Sequence, residues 1–415
     1  MRNVSQIIDG KRKIIKKPEL LAPAGNLEKL KIAIIYGADA VFIGGKEFSL
    51  RSQASNFTLE DIREAVLFAN QYNAKIHVTC NIILHQDNLE GIKEYLQALD
   101  DIGVSAIIVA DPYIMILTKQ MNLKLEVHVS TQLSTLNSKA IQFYKNMGMD
   151  RVVLGREVTY DNLKVLLNET DMDIEYFIHG AMCIHYSGRC MLSNYLARRD
   201  ANRGGCCQSC RWYYDLYDND TLITSENDMP FTMSSKDMAL VNHIGELIEL
   251  GVDSFKIEGR MKSLHYIATV VSTYRKLIDG YCDDPDNFIM DDSYKNELNK
   301  AANRALCHGF FYDNPGINEQ LYNIRDEHPT QEFVLRVIDY DKESHIATIE
   351  QRNYFKVGDK IEIFSPTHSN LFFTVKKIYN GDKEEVDVAN HPMEILYIEM
   401  DQYVEKNDMG RKVIR

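Results

Sequence analysis

Five of the eight cysteines of this chain fall between Cys183 and Cys210, in the segments CIHYSGRC and RGGCCQSCR. Thiolates are soft ligands suited to iron-sulfur clusters, Cu(I) or zinc, and four of them complete a tetrahedral shell or hold one cluster. Cys183, Cys190, Cys206 and Cys210 are the ligand candidates, with Cys207 competing with Cys206 because adjacent cysteines rarely both bind one centre. Cys206 and Cys210 stand one helical turn apart, a spacing that turns both sulfurs the same way. A structural zinc site is the alternative, although it normally uses paired C-x2-C or C-x4-C knuckles. A nucleophilic use is the third reading, with His179 or His185 as the base beside Cys183. No H-E-x-x-H or G-x-S-x-G motif supports hydrolysis. Cys80, Cys282 and Cys307 read as buried small hydrophobes, with Cys80 at the end of a strand kept as a second candidate.

Other residue types gather near these thiols. His128, Ser130 and Gln132 alternate, so all three point to one face of a strand, either toward a lumen or toward a helix layer. A structural polar network is the rival to a site there. His179 precedes Gly180 just before the first cysteine, where it can tune a metal centre, move a proton or serve as a prop.

The chain that must position these groups has 415 residues, 45% hydrophobic and 26% charged, enough for a large core and more than one domain. Its net charge of -13 argues against nonspecific nucleic-acid binding. The window from Tyr186 to Trp212 is the local exception, carrying Arg189, Arg198, Arg199, Arg203 and Arg211 against Asp200. No long uncharged apolar run and no signal-peptide pattern occurs, so a cytoplasmic protein without membrane contact is expected. Eight cysteines in that reducing compartment point to metal or redox chemistry rather than disulfides.

From Glu19 onward, short β-branched runs alternate with segments of helical periodicity. The strand candidates are Glu19 to Gly25, Asp39 to Gly45, Lys75 to Asn81, Ala106 to Asp111, Leu125 to Gln132, Arg151 to Glu157, Ile174 to Cys183 and Asp253 to Arg260. Segments such as Asn26 to Tyr36, Thr58 to Tyr72 and Ser263 to Asp279 read as helices with capping residues in front. Eight such units predict an α/β fold, a (β/α)8 TIM-type barrel, with the site at the C-terminal ends of its strands. The stretch from about 183 to 237 is too long for a barrel loop and is expected to be a Cys-rich insertion after strand seven. Short alternating strands after Arg325 predict a small all-β C-terminal barrel domain. The expected domains are a basic N-terminal extension over 1–17, the barrel over 18–325 and the β domain over 326–415.

The segment EYFIHGAMCIHYSGRCMLS, Glu175 to Ser193, resembles the signature of the collagenase-like peptidase family. The resemblance continues through PELLAPAGNLEKLKIAIIYGADAVFIGG, VHVSTQ, RDANRGGCCQSCRW, SSKDMALV and KIEGRMKS. Within that family the chain looks most similar to the bacterial tRNA uridine 5-hydroxylation proteins, and to their larger Gram-positive member. The resemblance implies prephenate-dependent 5-hydroxylation of the wobble uridine of tRNA, a 4Fe-4S cluster, and a paralogous partner protein of the same family. Peptidase activity and a zinc-stabilised RNA-binding partner remain the alternatives. Carried onto this sequence, the cluster ligands are Cys183, Cys190, Cys206 and Cys210. Relatives in ubiquinone hydroxylation place a ligand cysteine near Met238, which cannot donate a thiolate, so Cys206 and Cys210 must both serve here.

A dianionic co-substrate such as prephenate calls for fixed positive charge, and arginine gives bidentate carboxylate contacts. Arg156, Arg260 and Lys262 are the candidates, with Ser130 and Gln132 as further contacts. Ion pairing with Glu157 or Glu258 is the plainer use of these cations. His179, His128 and Glu258 are the candidate catalytic groups. For tRNA, Arg198, Arg199, Arg203 and Arg211 suit phosphates, and Trp212 with Tyr213 and Tyr214 suits unpaired bases.

Overall fold

The computed structural model describes residues 2–49, 56–223, 231–321 and 330–413. The eight strand segments form a closed parallel barrel: β1 (Glu19–Pro23), β2 (Ala40–Gly44), β3 (Lys75–Cys80), β4 (Ala106–Val109), β5 (Glu126–Val129), β6 (Arg151–Val153), β7 (Asp173–Gly180) and β8 (Ser254–Ile257). Consecutive strands pair in parallel, and β8 pairs with both β7 and β1, which closes the ring. Both strand faces are buried, the outer face against helices and the inner face against lumen side chains. Odd-numbered positions of β3 point inward and even-numbered ones outward, which places Cys80 in the apolar helix layer. Burial there pushes its thiol up to about 12, so Cys80 is inert packing.

The helix starts follow the capping pattern. Asn26, Thr58 and Ser263 each accept a backbone hydrogen bond at the head of Leu27–Ile35, Leu59–Asn70 and Leu264–Asp283. Two short strands lie outside the alternating pattern of the sequence. Asp237–Ala239 runs antiparallel along the end of β7, with Met238 opposite Gly180, and Leu306–Cys307 pairs with it in parallel.

The basic N-terminal segment is a hairpin, Ser5–Ile8 paired with Lys11–Ile14. Its cations are matched by barrel acids: Arg12 by Glu249 at 2.7 Å and Asp286 at 2.8 Å, and both Arg2 and Lys16 by Asp253. Asp253 also accepts from the Ile174 amide at 2.8 Å, so one carboxylate ties the hairpin to the starts of β7 and β8.

The C-terminal part is an antiparallel eight-stranded sheet curled into a half-barrel. Its expected boundary near residue 325 lies outside the described residues. The sheet is fastened to the barrel by buried polar groups. Arg411, 0% exposed, reaches Glu297 at 2.5 Å and Glu362 at 3.1 Å, while Tyr36 donates to the Asn407 carbonyl at 2.9 Å. Among the described residues no helix is long and apolar enough to cross a membrane.

Candidate functional site

The C-terminal end of β7 delivers the first cysteine. Gly180, at φ +118°, lets β7 exit against β8, where a Cβ would meet the Glu258 carbonyl at 2.6 Å. Gly188 lies between Cys183 and Cys190 at φ +79°, and a Cβ there would stand 2.7 Å from the Gln132 carbonyl. Only glycine combines that backbone angle with that approach, so the turn between the two cysteines lies flat on the loop after β5. The Cys-rich segment thus covers the barrel's C-terminal face.

The thiols sort themselves by their neighbours. Burial raises the Cys183 pKa, modulated by the charges of Arg156, Glu258, Cys206 and Arg211. Burial also raises Cys210, with Arg211, Cys183, Cys206 and Cys190 in electrostatic reach. Cys183, Cys190, Cys206 and Cys210 therefore share one neighbourhood. Cys183 nonetheless keeps solvent-exposed surface, so this neighbourhood is an open basin within the protein body. Cys207 turns away from it. Its thiol is 3.3 Å from the Ser193 hydroxyl, its amide donates to the same oxygen at 3.1 Å, and bonds to Ser193 and Ser209 outweigh burial and lower its pKa. The helical turn expected between Cys206 and Cys210 does not form. Gln208 adopts φ +57° and only Ser209–Arg211 is a 3-10 turn, so backbone reversal rather than helical repeat brings the two sulfurs together.

The separation of the sulfurs bears on the kind of metal. A tetrahedral zinc with Zn–S of about 2.3 Å holds its sulfurs roughly 3.8 Å apart. Among the described residues no three of these sulfurs lie within 4.8 Å of one another. Four thiols in one neighbourhood are a soft donor set of the kind that holds an iron-sulfur cluster or a zinc ion.

Positive charge surrounds the basin. Arg156 stacks on Phe177 with its guanidinium carbon 3.8 Å from the ring centroid and donates to the Ser187 hydroxyl at 3.3 Å. Among the described residues it makes no ion pair with Glu157 or Glu258. Arg211 donates to the Met182 carbonyl at 3.2 Å, while among the described residues its other terminal nitrogen, also buried, finds no partner. Asp237, buried beside them, takes Arg304 at 2.8 Å and Lys262 at 3.5 Å. Asp237 and Arg304 escaped the sequence reading; Asp237 sat within the SSKDMALV segment, whereas nothing in the sequence marked Arg304. Arg260 is buried and donates to Asn56 at 3.0 Å, with Ser49 and Thr79 at 3.4 and 3.5 Å, on the β2–β3 side of the face.

His179 is buried with Nδ1 3.2 Å from the Tyr274 hydroxyl. Burial lowers its pKa to about 4 despite Asp237, so it is neutral near pH 7. Among the described residues Cys183 makes no hydrogen bond to His179 or His185. Glu258 stands close enough to Cys183 for its charge to be felt, and its amide donates to the His179 carbonyl at 2.8 Å. Ser130 donates to Gln132 at 3.2 Å, and among the described residues the buried Gln132 side-chain nitrogen under the Gly188 turn finds no partner. His128 lies deeper in the lumen, 3.0 Å from Glu126 and edge-on to His77 with ring centroids 4.9 Å apart. It is not part of the cysteine basin.

The basic window divides by direction. Arg203 reaches Asn88 at 2.7 Å and Asp87 at 3.5 Å, tethering the Cys-rich segment to the loop after β3. Arg211 points inward. Arg198 is exposed and Arg199 half-buried. Trp212 and Tyr213 are 41% and 42% exposed beside Cys210.

Residues 25–321 match the family model for peptidase family U32, and residues 329–411 match that for the peptidase family U32 C-terminal domain. The chain belongs to peptidase family U32. Among U32 relatives it is 52% identical to the tRNA hydroxylation protein P1 of Bacillus subtilis, covering 99% of this chain and 98% of that one. It is 31% identical to the tRNA hydroxylation protein P of Haemophilus influenzae, over 94% of this chain and 95% of that one. A solved C-terminal domain of a putative U32 peptidase from Geobacillus thermoleovorans is 38% identical over 20% of this U32 chain and 91% of its own, with TM-score 0.19.

Proposed function

We propose that this U32 protein takes part in hydroxylating C5 of the wobble uridine of tRNA, with prephenate as co-substrate and a 4Fe-4S cluster held by Cys183, Cys190, Cys206 and Cys210. The observation that carries the reading is the gathering of these four thiols in one cation-lined basin, in a chain 52% identical to a tRNA hydroxylation protein. Replacing C–H by C–OH is a two-electron oxidation that needs an oxygen donor and an electron acceptor from outside the chain, and the cluster would pass electrons to that acceptor.

The protein's own share is placement. Arg156 is held by Phe177 and Ser187 and keeps hydrogen-bonding capacity for a carboxylate. Lys262 and Arg304, steadied by Asp237, add positive charge, and the unpartnered Gln132 amide offers a neutral donor. Neutral His179 can orient a donor or carry a proton without adding charge. Arg198, Trp212 and Tyr213 form the outward surface offered to phosphates and unstacked bases. A thiol peptidase needs a base bonded to its nucleophile, and among the described residues none is hydrogen-bonded to Cys183, which leaves that reading without support.

The test is mass-spectrometric analysis of tRNA nucleosides from a strain lacking this chain and its paralogue, complemented with wild type or with Cys183→Ser. Recovery of 5-hydroxyuridine derivatives with the wild type alone is expected. Levels unchanged by the deletions overturn the assignment.

A further inference from the structure

A second set of ligand-type residues lies inside the barrel, below the basin. In such barrels the lumen is filled by layers of four side chains from alternate strands, dominated by bulky branched residues. The strand registers, with the tilt that advances each strand by about one residue, place Leu21 of β1, His77 of β3, His128 of β5 and Glu175 of β7 in one layer. Three of these four are metal-ligating types where aliphatic residues are usual. One nitrogen or oxygen from each of the three lies within 4.8 Å of the other two. Their exposures are 1%, 0% and 0%.

The hydrogen bonding points the same way. Among the described residues both ring nitrogens of His77, and Nδ1 of His128, are buried and find no hydrogen-bond partner. Orphaned polar atoms at this depth call for an ion or water between them. His128 Nε2 faces the Glu126 carboxylate at 3.0 Å. A carboxylate there accepts a hydrogen bond from Nε2–H and leaves the Nδ1 lone pair free, the arrangement that orients metal-binding histidines. Glu175 receives Lys256 at 2.5 Å and Arg151 at 3.4 Å. Two contacts leave about two of a carboxylate's roughly four acceptor positions open. Leu21 closes the fourth side, packed with Ala40, Phe42 and Ile108 as a small apolar cluster.

We propose that the lumen binds one divalent transition ion, zinc or ferrous iron, through His77, His128 Nδ1 and Glu175. Two imidazoles and a carboxylate suit these ions, whereas calcium and magnesium prefer all-oxygen sites. The site is independent of the cysteines and of the reaction assigned to them.

The experiment uses the full chain with Cys183, Cys190, Cys206 and Cys210 replaced by serine, stripped with chelator and titrated with Co2+. One Co2+ per chain is expected, with visible bands but no sulfur-to-cobalt charge transfer. Adding His77→Leu or His128→Leu, which restores an apolar layer, is expected to weaken binding by at least about tenfold. X-ray absorption of the zinc-loaded serine variant gives a readout that does not depend on the leucine variants folding, with a nitrogen and oxygen shell expected. No bound metal, a sulfur shell, or binding that folded leucine variants leave unchanged overturns the site; water alone then fills the gap.

Discussion

The Arg156 guanidinium carbon stands 3.8 Å over the centroid of the Phe177 ring, and the same ring has the Lys256 ammonium 5.5 Å from its centroid. Phe177 therefore stands between a cation that belongs to the cysteine basin and one that belongs to the barrel lumen. The ring fixes the angle at which Arg156 addresses the basin. A planar guanidinium stacks on such a face and keeps its edge free, which an ammonium cannot reproduce.

Arg156→Lys should consequently lose most of the activity that Arg156→Ala loses. The expected drop in kcat/KM for the hydroxylated tRNA product is about tenfold or more for both, an effect of about 1.4 kcal/mol or more in transition-state binding. Steady-state kinetics with varied co-substrate check it, and full activity of the lysine variant would remove Arg156 from the substrate site.

Serine at Cys183, Cys190, Cys206 or Cys210 should each bleach the broad visible absorption of anaerobically prepared protein. Iron should fall well below about four per chain. Cys207→Ser should keep both, because its thiol is engaged with Ser193. Iron assay separates the outcomes, and loss of iron in Cys207→Ser with retention in Cys206→Ser would reverse the ligand assignment.

Gly188→Ala should destabilise the Cys-rich segment without unfolding the barrel. Its positive φ and the contact with Gln132 together are expected to cost about 1–3 kcal/mol. The readouts are iron retention, expected to fall, and far-UV circular dichroism, expected to stay unchanged; a cluster held as firmly as in the parent would mean the turn is free to move.

Acid should weaken the metal-free fold in two steps. Burial holds His77 at about 3, so below its ordinary value of about 6.5 the unfolded chain takes up a proton that the folded chain does not. Burial pushes Glu19 up, but His77 and Arg151 outweigh it and hold Glu19 at about 2, so its stabilising contribution is present above about 4.3 and is lost as pH falls toward 2. Urea midpoints should fall with decreasing pH throughout this range. His77→Leu should flatten the upper part of the slope and Glu19→Gln the lower; unchanged slopes would contradict the assigned charges.

The barrel was legible because each strand is a short β-branched run followed by a polar tail, and each helix opens on a capping residue such as Asn26 or Thr58. The cysteines were legible by density alone. What chain order conceals is convergence. Asp237 comes from a short strand and Lys262 and Arg304 from two separate loops, and no local pattern announces that they meet. His77 reads as one residue of a strand until barrel tilt sets it level with His128 and Glu175. Arg203 and Arg211 look equally available for RNA in the sequence, yet one is a tether and the other faces the thiols. The ordering of Cys206 over Cys207 required the backbone reversal at Gln208, which residue spacing alone does not encode.

The buried Arg411 contact has a mechanical consequence. Its guanidinium is sealed between Glu297 of the barrel part and Glu362 of the half-barrel, so any swing of the C-terminal sheet must first break a buried ion pair.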